Sequence, residues 1–421
     1  MCAMTQAITR TRADRRTVDA AARSGTRGRR SGTATLLLLA SLVVSLLAAS
    51  SAPTPIYAIY QAEWGFSPIT TTIVFGVYAV SVLVSLLIFG KLSDHVGRKP
   101  VLLVTLVVEA ATMIVLATAG GVPALLVARI VQGLATGAAV GAIGAMMLDI
   151  DAKRGQLANA LTPGIGTGSG ALLSALLVSF LPAPTHLVYY VLVALFLLQA
   201  LGVTFIRETV TRAPGALASL RPEIALPRSV RAHLIAAAPV LFAAWALAGL
   251  YGALGPALLG KLLGGNNTIL AGVLLVAFAG VASAMVLVLR SVSATAVMLT
   301  GSITLFAGVA VTLASLGLGS VALFFVGTVI SGAGFGAGFP GRHPDRGPAG
   351  RAARAVPARC LCLYVVSYLG FGVPAVVAGV LTVDGPGLFG AATAYGVAVM
   401  VLALATDLQH WCGHVGPAWV N

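Results

Sequence analysis

Three groups of residues stand apart from an otherwise apolar sequence because their types and spacing could do chemistry. Glu109 is the only acidic side chain in the middle of a long apolar stretch. A carboxyl group in hydrocarbon is costly, so it is either a functional group or a protonated, hydrogen-bonded structural one, and both readings stand for Glu109. Arg129, Gln132 and Gly133 form the run Arg129-x-x-Gln132-Gly133 in a second apolar stretch. A guanidinium there must face water or a partner, or bond the backbone carbonyls of a neighbouring segment. The third group, Gly90-Lys91-Leu92-Ser93-Asp94-His95-Val96-Gly97-Arg98-Lys99, concentrates charge in a short turn. Gly90 lets two helices approach closely and Gly97 permits a tight turn. Asp94 is placed to meet the positive N-terminal end of a neighbouring helix, and Arg98 to pair with a carboxylate at Asp149 or Asp151. No nucleophile is spaced with a base, no His or Cys has metal-ligand spacing, and no glycine-rich phosphate loop joins a strand to a helix. The sequence therefore points away from an enzyme. Cys360 and Cys362 form a lone C-x-C without partner ligands, which is weak support for zinc.

The elements that must position these groups follow from composition. Of 421 residues, 58% are hydrophobic and 9% charged, with a mean hydropathy of +0.98. A water-soluble surface cannot carry that balance. The apolar runs are continuous rather than alternating, so they read as spanning helices of about 20 residues, not barrel strands. Twelve runs appear, at 34–57, 69–90, 100–119, 123–148, 157–181 and 187–206, then 234–260, 268–289, 294–316, 321–339, 361–383 and 388–406. The expected organisation is a basic N-terminal tail (1–33), a six-helix bundle (34–206), a polar linker (207–233), a second six-helix bundle (234–406) and a C-terminal tail (407–421). With both termini in the cytosol, 24 of the 26 Lys and Arg fall on the cytoplasmic side; Lys261 lies outside and Arg129 within a span. The positive-inside rule thus absorbs the net charge of +14 without invoking nucleic acid. The long tail before the first run argues against a cleaved signal peptide.

The two sets of six align with each other. Arg129, Gln132, Gly133 and Gly137 in span 4 match Thr328, Ser331, Gly332 and Gly336 in span 10; Gly166 and Gly170 in span 5 match Gly370 and Pro374 in span 11; Ala52 and Pro55 in span 1 match Ala253 and Pro256 in span 7. The pairs recur at nearly one interval. A duplicated unit with both copies in one orientation implies two bundles related by an axis along the membrane normal, with a site at their interface.

The turn from Gly90 to Lys99 resembles the signature G-x-L-x-D-x-x-G-R-K of the major facilitator superfamily, and the resemblance covers the chain from about Thr33 to Thr406. It implies an all-α membrane fold of twelve transmembrane helices in two pseudo-symmetric six-helix bundles. It also implies a conformational latch made by Gly90, Asp94, Gly97, Arg98, Lys99 and Asp149, which in the family holds the outward-open state. Arg129-x-x-Gln132-Gly133 resembles the family's second motif, in which an arginine facing the inter-bundle cavity is linked to proton coupling. Span 5 is similar to the drug and proton antiporter motif G-x-x-x-G-P-x-x-G-G at Gly166 and Gly170. It departs from that motif at Ala171, Ser174 and Ala175, which leaves ordinary small-residue packing as the other reading.

In that fold the distinctive cavity side chains are Tyr57, Tyr78, Gln132, Trp245, Tyr251, Thr328, Ser331, Tyr364, Ser367 and Tyr368, an apolar and aromatic set suited to lipophilic or uncharged compounds. The expectation is a secondary active transporter in the plasma membrane, working as a monomer by alternating access. Proton-coupled efflux of small organic or drug-like compounds comes first, with Glu109, Arg129 and Gln132 as coupling residues. Its partners are a small-molecule substrate and the lipid bilayer, with no nucleic acid, and it needs no cofactor beyond a proton gradient. Import or facilitated diffusion of a neutral solute such as a sugar is the alternative. A third reading, an inactive or non-transporting protein, arises from residues 340–362, which carry five Arg and four Pro where the repeat expects apolar helix. Compensating frameshifts in the coding sequence would produce such a stretch at nearly constant length, and the other two reading frames of the DNA test that directly.

Overall fold

The computed structural model describes residues 32–220, 228–337 and 349–414. Nearly all of the N-terminal tail, part of the linker, residues 340–348 of the basic stretch and the end of the C-terminal tail lie outside the described residues. Among the described residues every regular element is helical. In the first half these are α1 (Gly32–Ser51), α2 (Tyr57–Trp64), α3 (Pro68–Phe89), α4 (Leu92–Val96), α5 (Arg98–Ala117), α6 (Val122–Ile150), α7 (Ala152–Phe180) and α8 (Leu187–Phe205). The second half contains α9 (Arg228–Ala253), α10 (Gly255–Leu263), α11 (Thr268–Val288), α12 (Ala294–Leu318), α13 (Val321–Ala337), α14 (Ala349–Asp384) and α15 (Gly387–His414). Among the described residues ten helices are long and apolar enough to span a bilayer, and the α9–α10 pair, taken as one bent span, makes an eleventh. The twelfth, α13, is a 17-residue apolar helix that runs to the edge of the described residues. At about 1.5 Å per residue it covers most of a ~30 Å hydrocarbon layer.

Two runs that read as single spans are broken. The first does not end at Tyr57: α1 stops at Ser51, residues 52–56 form turns, and the chain resumes as α2 to Trp64. Pro53 and Pro55 have no N–H to give to the preceding turn, so the helical ladder fails there. The seventh bends by 51° between Ala253 and Gly255, just before Pro256. These breaks fall on the residues that the repeat aligns, Pro55 with Pro256. Composition shows the apolar length of both spans and hides the interruption.

Each half has its own core. In the first, Leu42, Leu46, Leu102, Met113, Ile143 and Phe196 are fully buried; in the second, Leu247, Tyr251, Leu274, Leu305 and Phe324 fill the same role. Large apolar side chains point outward around the helices, among them Val104, Val107, Leu198 and Phe205. Such a surface is stable against lipid tails and unfavourable in water. The chain is an integral, multi-pass membrane protein.

The halves meet along two seams, α7 against α11 and α3 against α14. Small residues make both possible. On α7 one face carries Gly166, Gly170 and Ser174, which pack on Val44, Ala48 and Ala52 of the first span. At Gly170 the Ala48 backbone fills the space that a Cβ would need, so only glycine fits. The other face carries Gly164, Gly168 and Ala175, which meet Ser283, Val276 and Gly272 across the seam. The spacing of small residues gives both stripes, but not which neighbour each one serves.

Candidate functional site

At one end of the molecule the charged turn folds into α4 and the start of α5. Arg98 is buried, and its Nε lies 3.1 Å from Asp149 Oδ2 at the end of α6; its NH2 lies 3.4 Å from Asp94 Oδ1. Both are ion-pair distances. Asp151 does not join them: its Oδ1 accepts from the Lys153 and Arg154 backbone N–H groups and caps α7. The Lys99 ammonium donates to the carbonyls of Thr204 and Ile206 at the end of α8, where the helix leaves its last acceptors unpaired. Arg98 and Lys99 therefore tie α5 to α6 and α8.

Glu208, which the sequence reading passed over, completes this end. Its carboxylate accepts from the backbone N–H groups of Arg98 (3.0 Å) and Lys99 (2.9 Å), so the first residues of the linker cap α5. Partial burial works against its ionisation. The N–H groups of Lys99, Arg98, Thr209 and Val210 together outweigh that and hold the carboxyl below its usual value of 4.5. A depressed pKa adds stability above the unfolded value that is lost as pH falls through the folded one. Amide exchange at Arg98 and Lys99 is expected to be protected at neutral pH and to lose that protection as pH falls below 4.5. Glu208→Gln abolishes the pH dependence. Beside it, Gly97 has φ +104° and a Cβ there would sit 2.8 Å from Glu208 Oε2. Gly97→Ala is expected to cost about 1–3 kcal/mol, read as a lower apparent unfolding temperature with the secondary structure unchanged.

Deeper in the first half is a buried polar network. Thr136 of α6 donates to Glu109 Oε1 of α5 at 2.6 Å. Two turns away on α6, Arg129 donates from NH1 to Gln132 Oε1 (2.7 Å) and to the Ser50 carbonyl of α1 (3.0 Å). The guanidinium carbon lies 4.4 Å from the Tyr78 ring centroid of α3, a cation–π contact. Glu109 and Gln132 are fully inaccessible and Arg129 nearly so. Glu109 Oε2, Arg129 Nε and Gln132 Nε2 have no hydrogen-bond partner among the described residues. A buried polar atom left unmatched costs about 1–3 kcal/mol, so this cluster has unused bonding capacity. It links α1, α3, α5 and α6.

Across the interface stands an aromatic group. Trp245 of α9 lies 5.7 Å from Tyr368 and 5.8 Å from Phe371 of α14, and 5.5 Å from Phe335 of α13. Phe75 of α3 is 4.6 Å from Phe371, while Tyr78, Val82 and Leu86 pack against Tyr368. Three expected cavity residues, Tyr78, Trp245 and Tyr368, are thus gathered where the halves meet. Two others are not there. Tyr251 hydrogen-bonds with Thr312 of α12 (2.7 Å) and Ser331 of α13 (3.2 Å), which turns both Tyr251 and Ser331 into the interior of the second half. A hydroxyl buried in that core takes its partners there, which corrects their assignment to the cavity. Tyr364 is 40% exposed on the charged-end side of α14.

Tyr57 lines a cavity of about 500 Å³ at the opposite end, between the two broken spans. Thr54, Pro55 and Tyr57 supply one wall, and Leu254 and Pro256 the other. Phe75, one turn beyond Thr72 of the cavity wall, lies against Phe371 and beside Gly252. No group of three or more His, Cys, Asp or Glu able to hold a metal ion occurs among the described residues.

Two helical bundles that meet along two seams, each with a broken first helix, the first also holding a buried polar network, form an architecture that suits a membrane transporter. The family model of the Major Facilitator Superfamily matches residues 37–343, and the chain belongs to that superfamily. Among solved structures, a mutant of the nucleoside transporter NupG is similar with a TM-score of 0.65 at 14% identity, covering 89% of this chain and 99% of that one. NupG itself gives 0.63 at 13% identity, covering 89% and 98%. At this identity the likeness shows the fold. No curated protein sequence matches the chain.

Proposed function

We propose that this protein is a proton-coupled exporter of small aromatic organic compounds, with its charged end in the cytosol. The observation that carries the reading is the Glu109–Thr136 hydrogen bond in the same buried network as Arg129 and Gln132. A carboxyl group there changes its proton content as the network opens to one side or the other, and Arg129, bonded to the Ser50 carbonyl, passes that change to the first span. The aromatic group around Trp245 offers ring faces to a planar solute. Asp94, Arg98 and Asp149 brace the charged end of the first half, where the family resemblance places a latch for the state open at the opposite cavity. The positive-inside count supports the orientation.

A second reading, uptake of a neutral hydroxylated solute, is favoured by the cavity wall, where Thr54, Gln61, Thr71, Thr72 and Thr382 supply hydroxyl and amide groups. The similar fold of a nucleoside transporter agrees with it. Flux separates the two. Purified protein in vesicles, with the membrane potential clamped, is given cationic, neutral and anionic aromatic dyes and a neutral nucleoside. Antiport predicts accumulation when the lumen is acidic, because protons leave as dye enters. Uptake driven by an alkaline lumen, or downhill flux indifferent to pH, replaces the first reading by the second.

A further inference from the structure

We propose that the cavity between the two helix breaks is a binding site for small, singly charged organic anions, with Lys261 as the charge partner and Tyr57 as a hydroxyl donor. The inference deepens the transport reading by naming the charge class of solute that this end receives. Four observations carry it. The cavity, of about 500 Å³, sits where both halves interrupt their helices at aligned positions, so backbone as well as side-chain polar groups can face a ligand. Among the described residues its wall holds no carboxylate, and the one charged side chain there is Lys261. Lys261 is exposed at the cavity mouth, and its ammonium makes no ion pair among the described residues; it lies 5.4 Å from the Phe389 ring centroid. Finally, the Tyr57 side chain is buried while its hydroxyl has no partner among the described residues, although the residue lines the cavity.

These features select among ligands. A cation would meet the ammonium without any acid to balance it. A neutral solute would use the hydroxyl and amide groups of Gln61, Thr72 and Asn266 and leave the lysine unmatched. A carboxylate bearing a small ring satisfies Lys261 through a charge-assisted hydrogen bond, and its ring has the apolar wall of Leu254, Pro256 and Leu388 in the same cavity.

Equilibrium binding, measured by calorimetry in zwitterionic-lipid nanodiscs without any gradient, tests this with 4-hydroxybenzoate and its neutral analogue 4-hydroxybenzamide. The benzoate is expected to bind roughly 10-fold more tightly, the scale of one charge-assisted contact. Lys261→Gln is expected to remove the difference, Lys261→Glu to reverse it, and Tyr57→Phe to weaken both probes about equally. With Lys261 intact, a cysteine placed by Asn266→Cys is expected to be shielded by 4-hydroxybenzoate from a membrane-impermeant maleimide. Equal affinity for the two probes, discrimination that survives Lys261→Gln, or no binding of either overturns the proposal. Because no gradient is used, loss of proton coupling leaves this result intact, and absence of binding leaves dye flux to be judged separately.

Discussion

Glu109→Gln is expected to reduce gradient-driven accumulation to background while leaving solute exchange within about threefold of wild type. Glutamine keeps the shape and the acceptor for the Thr136 hydroxyl, which donates at 2.6 Å, so the packing between α5 and α6 survives. What it removes is the one titratable carboxyl in that network. Arg129→Ala is the harsher change. It deprives the Ser50 carbonyl and Gln132 of their donor and leaves a void against the Tyr78 ring. Each unsatisfied buried acceptor costs about 1–3 kcal/mol, and the connection between α1 and α6 is lost. Flux of every kind is expected to fall by roughly 100-fold, the scale of a broken buried charge network, with the variant still recovered folded from detergent. The comparison is made in vesicles by following both net uptake and counterflow. If Glu109→Gln accumulates solute as well as wild type does, Glu109 is a structural group and coupling lies elsewhere.

A cross-link between the two halves is expected to stop transport reversibly. A Cβ built at Gly164 lies 3.5 Å from Ser283 Cβ, within the ~3.5–4.5 Å spacing of disulfide-bonded cysteines. This contact belongs to the α7–α11 seam, in the part of α7 nearer its charged end. Gly164→Cys with Ser283→Cys, in a background lacking Cys2, Cys360, Cys362 and Cys412, is expected to lose exchange at least about tenfold on oxidation, since closure of one end forbids the rocking that exposes the other. Reductant restores it. Each single cysteine variant controls for the strain of a side chain against the Ala279 carbonyl, 2.8 Å from the built Cβ. Exchange that continues across a verified cross-link would mean that this seam does not open during the cycle.

The sequence made the spans, the duplication and the charged turn legible because each rests on composition or on spacing along one chain. Continuous apolar runs can only be helices in lipid, and Gly90 to Lys99 is too dense in charge for a buried segment. Partnerships across space were less legible. Asp149 and Asp151 are equivalent carboxylates in sequence; the fold gives one to Arg98 and makes the other the cap of α7. Tyr251 is one more aromatic residue in a central span until its hydroxyl is seen bonded to Thr312. Glu208 carried the weakest signal, a single acid at the start of a polar linker, yet it caps α5. The breaks at residues 52–56 and 253–255 did leave a trace, because Pro55 and Pro256 fall at matching places in the repeat. Apolar length outweighed them. The family match ends at residue 343, within the basic stretch that departs from the repeat.

Proton movement itself decides the central claim. Vesicles loaded with a pH-sensitive fluorophore and held at zero membrane potential and equal pH receive, on the outside, the dye that the protein moves best. Antiport predicts that the lumen turns alkaline as dye enters, in proportion to the dye transported, and that Glu109→Gln moves dye without any pH change. Dye entry with no change in lumen pH in the wild-type protein, or the same change in Glu109→Gln, would contradict the account.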